Sequence, residues 1–294
     1  MDGWPLGEGH SKAYRLRMLN RRLFLNPLTM LGPYSIAASD PLHLPSHTFT
    51  GGIVPPLLGW YNQMKQEFVS ARLLYHQAME AAPLDDRPQH FADDEVRLYD
   101  TLDYPAFSIG AERLRLAFRT AYGLLDKIAG FLNLYFELGN DPNRVDLRGI
   151  WYANPRKRRS LHPKIADRQN LALRGLYWLS FDILGEAREA ADDPNDALAP
   201  EAAHLNTLRN ALEHRCLVLT IETFGARNDD GIEREEITAF QHNTERILEL
   251  VHEALMLLSL AMHEEEMRKL RHRGPDALIL KATLPVYRRA WDDL

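Results

Sequence analysis

The chain has 294 residues, 45% of them apolar and 26% charged, the balance of an ordinary soluble globular protein with a sizeable core. Its net charge of −6 excludes a general basic coat for nucleic acid but leaves room for a local basic patch. The single cysteine, Cys216, excludes a disulfide framework and a cysteine-rich zinc site. No cationic stretch followed by an apolar run opens the chain, so a secretory signal is not expected. The longest apolar stretch, residues 248–262, is interrupted by Glu249, His252 and Glu253, too polar for a membrane span. A reducing cytosol is the expected compartment, with no membrane partner.

Residues 1–58 carry proline or glycine at Pro5, Pro27, Gly32, Pro33, Pro41, Pro45, Gly51, Gly52, Pro55 and Pro56, which prevents long helices. One helix is expected over Ser11–Leu25. Phe24–Leu28 and Leu42–Pro45 read as extended segments, too apolar for a free linker. The whole stretch is expected to be an arm packed on the body. The body, residues 59–272, reads as helix after helix, and residues 273–294 as a C-terminal tail.

From Trp60 to Ala82, Met64, Phe68, Ala71, Leu74, Tyr75 and Ala78 recur at three- and four-residue steps, with Pro83 as a stop. A short helix is predicted over Asp93–Leu102. A long one is predicted over Ser108–Leu138, striped by Leu114, Phe118, Ala121, Leu125, Ile128, Leu132 and Tyr135, with Gly139 as C-cap. Residues 140–170 are irregular and include the basic run Arg156, Lys157, Arg158 and Arg159. Further helices are predicted over Leu173–Ala190, from Pro200 to Leu219, and over Arg234–Leu270. Valine, isoleucine and threonine are sparse and never alternate convincingly, so no sheet is expected. The predicted fold is all-α, a four- to five-helix bundle with an irregular N-terminal arm.

The segment Leu205–Leu219 is the focus. On a helical wheel with Arg209 at zero, Glu213 falls near ~40°, Asn210 near ~100° and His214 near ~140°, with leucines behind. Arg209 with Glu213, and Asn210 with His214, are i,i+4 neighbours. Histidine can take or give a proton near neutral pH. Arginine can fork onto a phosphate and stabilise charge developing there. RNA supplies its own nucleophile, the 2′-hydroxyl, so this set needs neither metal nor cofactor. One helix holds one such histidine, and a second proton-transfer group would come from a twofold-related copy.

Spacing alone is a weak signal, because an arginine followed five residues later by histidine is expected about once from this composition. Arg156 with His162 and Arg246 with His252 are near competitors. The bland alternative is a solvated helix face with an intrahelical ion pair. The basic run 156–159 reads equally as an RNA-backbone clamp or a solvated loop. Asp126 reads as a supporting site residue or a packing one. Glu67 and Arg72 read as a buried structural pair. Trp151, Tyr152, Tyr177 and Trp178 are expected in the core. No histidine shows metal-ligand spacing and no glycine-rich phosphate loop is present.

Arg209-Asn210-Ala-Leu-Glu-His214 resembles the Arg-polar-x3-His motif of the HEPN superfamily (higher eukaryotes and prokaryotes nucleotide-binding domains). Arg22-Leu-Phe-Leu-Asn-Pro-Leu28, Leu42-His-Leu-Pro45, Lys65-Gln-Glu-Phe-Val-Ser-Ala-Arg72, Thr101-Leu-Asp-Tyr-Pro105, Asp126-Lys-Ile128 and Gly149-Ile-Trp-Tyr152 are similar to one bacterial branch, the LA-type HEPN proteins. The likeness spans residues 14–260. It implies a dimeric RNase of toxin or antiviral-defence systems, with Arg209 and His214 catalytic, Asn210 supporting, and a composite site across the dimer; Glu213, on the same face, is a further supporting candidate. Branch members often carry tetratricopeptide-type repeats ahead of this domain, and this sequence has none. That implies either a stand-alone effector or a separate sensor or antitoxin protein as partner. Some HEPN domains only bind, so a non-catalytic RNA-, nucleotide- or toxin-binding module is the alternative. A site that accepts a nucleotidyl modification is a third, weaker one.

Overall fold

Ser108 starts the central helix: its hydroxyl accepts the Ala111 N–H at 3.1 Å, while the Asp93 carboxylate accepts the Ile109 N–H at 3.1 and 3.2 Å. The computed structural model describes residues 4–47, 56–81, 90–99, 104–184, 199–221 and 231–272. Among them the helices are α1 (Gly9–Asn20), α2 (Leu57–Glu80), α3 (Ile109–Tyr135), α4 (Pro163–Ala166), α5 (Leu171–Leu184), α6 (Ala199–His214) and α7 (Ile237–Arg271). Two short strands, β1 (Cys216–Thr220) and β2 (Ile232–Glu236), stand between α6 and α7. The molecule is thus mostly helical, as the periodicity predicts.

Helix α3 is the axis. Leu114, Phe118, Ala121, Leu125, Ile128 and Leu132 are fully buried along one stripe. Helices α2 and α7 pack on it, α5 packs on α7, and α6 lies against α5 and α3. Met64, Phe68 and Ala71 of α2 and Phe240, Ile247, Ala254 and Leu258 of α7 have no exposed surface, so the three helices share one core. Each such side chain larger than alanine contributes about 1.5–3 kcal/mol by leaving water. No described helix is long and apolar enough to cross a membrane.

Residues 4–47 lie on α2 and α7. Leu23, Phe24, Leu25, Leu42 and Leu44 are buried, and the Leu42 N–H donates to the Leu25 carbonyl at 3.0 Å. Arg72 of α2, 1% exposed, anchors them. It donates to Asp40 Oδ1 and Oδ2 at 2.8 and 2.7 Å, to the Leu23 carbonyl at 2.7 Å and to the Tyr14 hydroxyl at 2.6 Å. The expected Glu67–Arg72 pair does not form. Glu67 points the other way, to Lys127 of α3.

Several boundaries differ from the pattern-based ones. Helix α1 stops at Asn20, and Arg22 takes a left-handed φ of +55°. Helix α3 stops at Tyr135 and is closed the same way by Glu137 (φ +50°), ahead of Gly139. In both, paired backbone bonds close the end: Leu23 N–H to the Met18 carbonyl, and Leu138 N–H to the Asn133 carbonyl. These closures place a non-glycine residue where glycine is the usual signal. The helix expected at Asp93 is a run of turns over 91–95, because Asp93 caps α3 instead. Residues 100–102 of that prediction, 185–190 of the next helix, Pro83, and the tail beyond 272 lie outside the described residues.

The main correction concerns the focal stretch. The helix ends at His214, and Cys216–Thr220 is a strand paired in parallel with Ile232–Glu236, so α7 starts at Ile237 and not at Arg234. Leu217 and Leu219 alternate inward. Five residues are too few for a period of two to stand out, and the partner strand begins 16 positions later.

Candidate functional site

Helix α6 turns its apolar side, Leu205, Leu208 and Ala211, into the core. This leaves Asn206, Arg209 and Asn210 half-buried and Glu213 and His214 exposed. Opposite it, α3 presents Tyr122 and Asp126, one turn apart. The chain after α3 folds over both, and together they form a cleft of about 450 Å³. Its lining includes Arg144, Arg148, Arg158 and Arg209 against two carboxylates, Asp126 and Asp146. Four cations against two anions, on a molecule of net charge −6, make this a local positive site.

Arg209 is fixed on three sides. Its Nη2 stands 3.7 Å from Asp126 Oδ2, its Nη1 donates to Asn210 Oδ1 at 3.1 Å, and its guanidinium carbon lies 5.9 Å from the Tyr122 ring centre. Burial raises the Asp126 carboxyl above the ordinary aspartate value. Arg209 opposes that rise and Asp146 adds to it. Burial likewise pushes the Tyr122 phenol up to about 12, with Asp126 adding, so it stays neutral and can donate. The Asp146 side chain accepts the Gly149 N–H at 2.7 Å, which folds the loop back over the cleft.

The basic run divides. Asn154 Oδ1 accepts the Arg156 and Lys157 N–H groups at 3.1 Å each, making a tight turn. Arg158, at φ +43°, enters the cleft lining, whereas Arg156, Lys157 and Arg159 are exposed outside it. Arg209, Asp126, Asn210 and Arg158 are thus brought together.

Glu213 and His214 are not part of this group. The expected i,i+4 pairing of Glu213 with Arg209 gives way to a cross-helix pair: Arg119 Nε and Nη2 donate to Glu213 Oε1 and Oε2 at 3.1 and 3.3 Å. The Arg119 bonds, more than the charges of Arg209 and His214, hold the Glu213 carboxyl below its ordinary range. His214 ends α6, exposed, next to that pair and outside the cleft lining.

The two competitors have structural roles. The His162 ring accepts the Lys164 N–H at 3.2 Å as a helix cap, Arg246 pairs with Glu249 at 3.6 Å, and His252 is buried on the Phe24 carbonyl at 2.8 Å. Trp151 is fully buried against Tyr177, while Trp178, expected in the core, is 66% exposed. Among the described residues no group of three histidine, cysteine, aspartate or glutamate side chains could hold a metal ion.

Tyr122, Asn206, Arg144, Arg148 and Asp146 were not legible as site residues. The Tyr122–Asp126 and Arg144–Arg148 spacings of four were present, but nothing local marks which side of a helix or loop another element will cover. His204, also unmarked, bonds Glu235 of β2 at 3.0 Å, and that bond raises its pKa.

A family model described as LA2681-like HEPN matches residues 50–265, well over half of the chain. Neither a comparison with curated proteins nor one with solved structures gives a match. The matched span contains α2 through most of α7, and with them every residue of the cleft.

Proposed function

The chain belongs to the LA2681-like HEPN family, and on that premise we propose that it is an endoribonuclease that needs no metal ion. The observation that carries the reading is Arg209 held on the wall of a cleft with Arg144, Arg148 and Arg158. Such a cluster suits a phosphodiester, because forked, charge-assisted hydrogen bonds favour planar oxyanions.

In this reading the 2′-oxygen attacks the adjacent phosphorus and the bond to the 5′-oxygen breaks. The products are a 2′,3′-cyclic phosphate and a 5′-hydroxyl. His214 takes or gives the proton, Arg209 binds the phosphate and stabilises its growing charge, and Asn210 orients Arg209 through the 3.1 Å bond. His214 lies outside the cleft of its own chain, so a second copy meeting the first along α6 would supply the histidine. Purified protein should cleave RNA in chelator, and both Arg209→Ala and His214→Ala should abolish this while folding normally. Full activity in either variant would refute the assignment of roles.

The position of His214 also favours a second reading, a non-catalytic RNA- or nucleotide-binding module or an antitoxin-type partner. Expression in a bacterial host separates the two. A toxin or antiviral-defence nuclease arrests growth unless His214 is replaced, and a binding module does not.

A further inference from the structure

Beside the arginine cleft, and sharing Asp126, Asn143 and Val145 with it, lies a second hollow of about 610 Å³. Its walls include Trp60 of α2, Gly123, Lys127, Gly130 and Leu134 of α3, and Glu137 just beyond that helix. The volume is in the range of ~300–1,000 Å³ usual for small-ligand sites. One hollow is thus aromatic and largely apolar, the neighbouring one strongly cationic.

Two glycines shape it, for different reasons. Gly130 is required by packing: a Cβ there would meet Trp60 Cζ2 at 2.7 Å, so the indole can lie against the helix only without a side chain. Gly123 has no such reason. A Cβ there would meet nothing within 4 Å. Glycine in the interior of a 27-residue helix is unfavourable, so the fold alone would be better served by alanine. What the missing side chain does provide is open space in the wall of the hollow that Trp60 and Asp126 also line.

We propose that this hollow receives an unpaired base of an RNA strand, stacked on Trp60, while the adjoining phosphate sits among Arg144, Arg148, Arg158 and Arg209. The assignment rests on the reading of the cleft as a phosphodiester site and adds to it a seat for the neighbouring base. Stacking on an aromatic ring tolerates any base and adds affinity next to a cationic groove. A paired base cannot enter, because its faces are already stacked within the helix.

The test is binding of a short 2′-O-methyl oligonucleotide, which lacks the attacking hydroxyl, followed by fluorescence anisotropy. A matched strand with abasic sites serves as control. Base stacking of this kind is worth about tenfold or more in affinity. Gly123→Leu, which projects into open space, and Trp60→Ala should each weaken the intact strand by about that factor. Neither should weaken the abasic strand further, which wild type already binds less tightly. Arg158→Ala and Arg209→Ala should weaken both strands alike. If Gly123→Leu and Trp60→Ala bind the intact strand as wild type does, or if wild type does not distinguish the strands, the base site is refuted and the phosphate reading stands. If the arginine variants bind unchanged, the phosphate reading fails, and the base site with it. Circular dichroism of Gly123→Leu checks its fold, and the two-strand comparison on wild type needs no variant.

Discussion

Asp126 on α3 and Arg209 on α6 face each other across the cleft at 3.7 Å, so the arginine proposed to bind a phosphate is already held by a carboxylate. Both side chains keep partial access to water, 42% for Asp126 and 33% for Arg209, so the pair is weak enough to exchange for an anion. Asp126→Asn removes the competitor and its repulsion of phosphate. Anisotropy at neutral pH should show the oligonucleotide binding about threefold more tightly, from a pair worth roughly 0.2–1 kcal/mol. The pH dependence follows from the raised carboxyl. Asp126 takes up its proton at a higher pH than an ordinary aspartate, so on acidification wild-type affinity should climb toward that of the variant, which has no carboxyl to titrate. Equal or weaker binding by Asp126→Asn would count against the competition.

Arg119 and Glu213 join the end of α6 to α3, and His214 hangs from that end. Glu213→Gln should cost about 0.5–1 kcal/mol of stability, discounted for a carboxylate that is one-third exposed. The folded carboxyl is depressed, so the contribution is present above the unfolded value near pH ~4.3 and is lost as pH falls through the folded value. Thermal melts at pH 7 should separate the two proteins, and melts in strong acid should not. If RNase activity is found, the variant should lose part of it through misplacement of His214, with the Arg209 cleft unchanged.

Removing Asp40 strands a buried guanidinium. Burial alone would raise the Asp40 carboxyl, but the hydrogen bonds and charge of Arg72 outweigh it and hold it low. Asp40→Ala should destabilise by about 3–5 kcal/mol, the usual cost of an unpaired buried charge. Asp40→Leu combined with Arg72→Met should cost less than Asp40→Ala alone. Urea titration measures both. A double variant as damaged as the single one would mean that the Tyr14 and Leu23 contacts of Arg72 matter more than the pair.

His204 and Glu235 give stability the opposite pH dependence. The bond to Glu235 raises the histidine pKa. Its contribution is complete below the unfolded value near pH ~6.5 and disappears as pH rises through the folded one. His204→Ala should therefore cost more stability at pH 6 than at pH 8.5, by up to about 1 kcal/mol for a pair that is partly in water, a difference that thermal melts at the two pH values would show. A pH-independent difference would show that packing, not charge, is what the ring contributes.

The long helices were legible because each carries its own period over many turns. Six of the seven stripe positions expected for α3 are fully buried, and the seventh, Tyr135, is half-buried. What failed were features decided elsewhere in the chain. Helix α6 stops at His214 because Cys216–Thr220 finds a partner strand 16 positions on. Glu213 prefers Arg119, 94 positions away, to Arg209 four positions away. Arg72 prefers Asp40 to Glu67 for the same reason. In the cleft, Arg209 and Arg158 could be singled out as chemistry-bearing types, but Tyr122 and Asp146 belong to it only because α3 and the following loop pass there.

The far end of the strand that follows His214 is occupied on both sides. Strand β2 pairs along its length, and on the other edge Ala106 N–H donates to the Leu219 carbonyl at 2.7 Å while Ile221 N–H donates to the Tyr104 carbonyl at 3.0 Å. Around Leu219 and Thr220 the backbone therefore has no seat for a strand from another chain. An inhibitor built as a strand mimic would have to find its footing away from that end of β1.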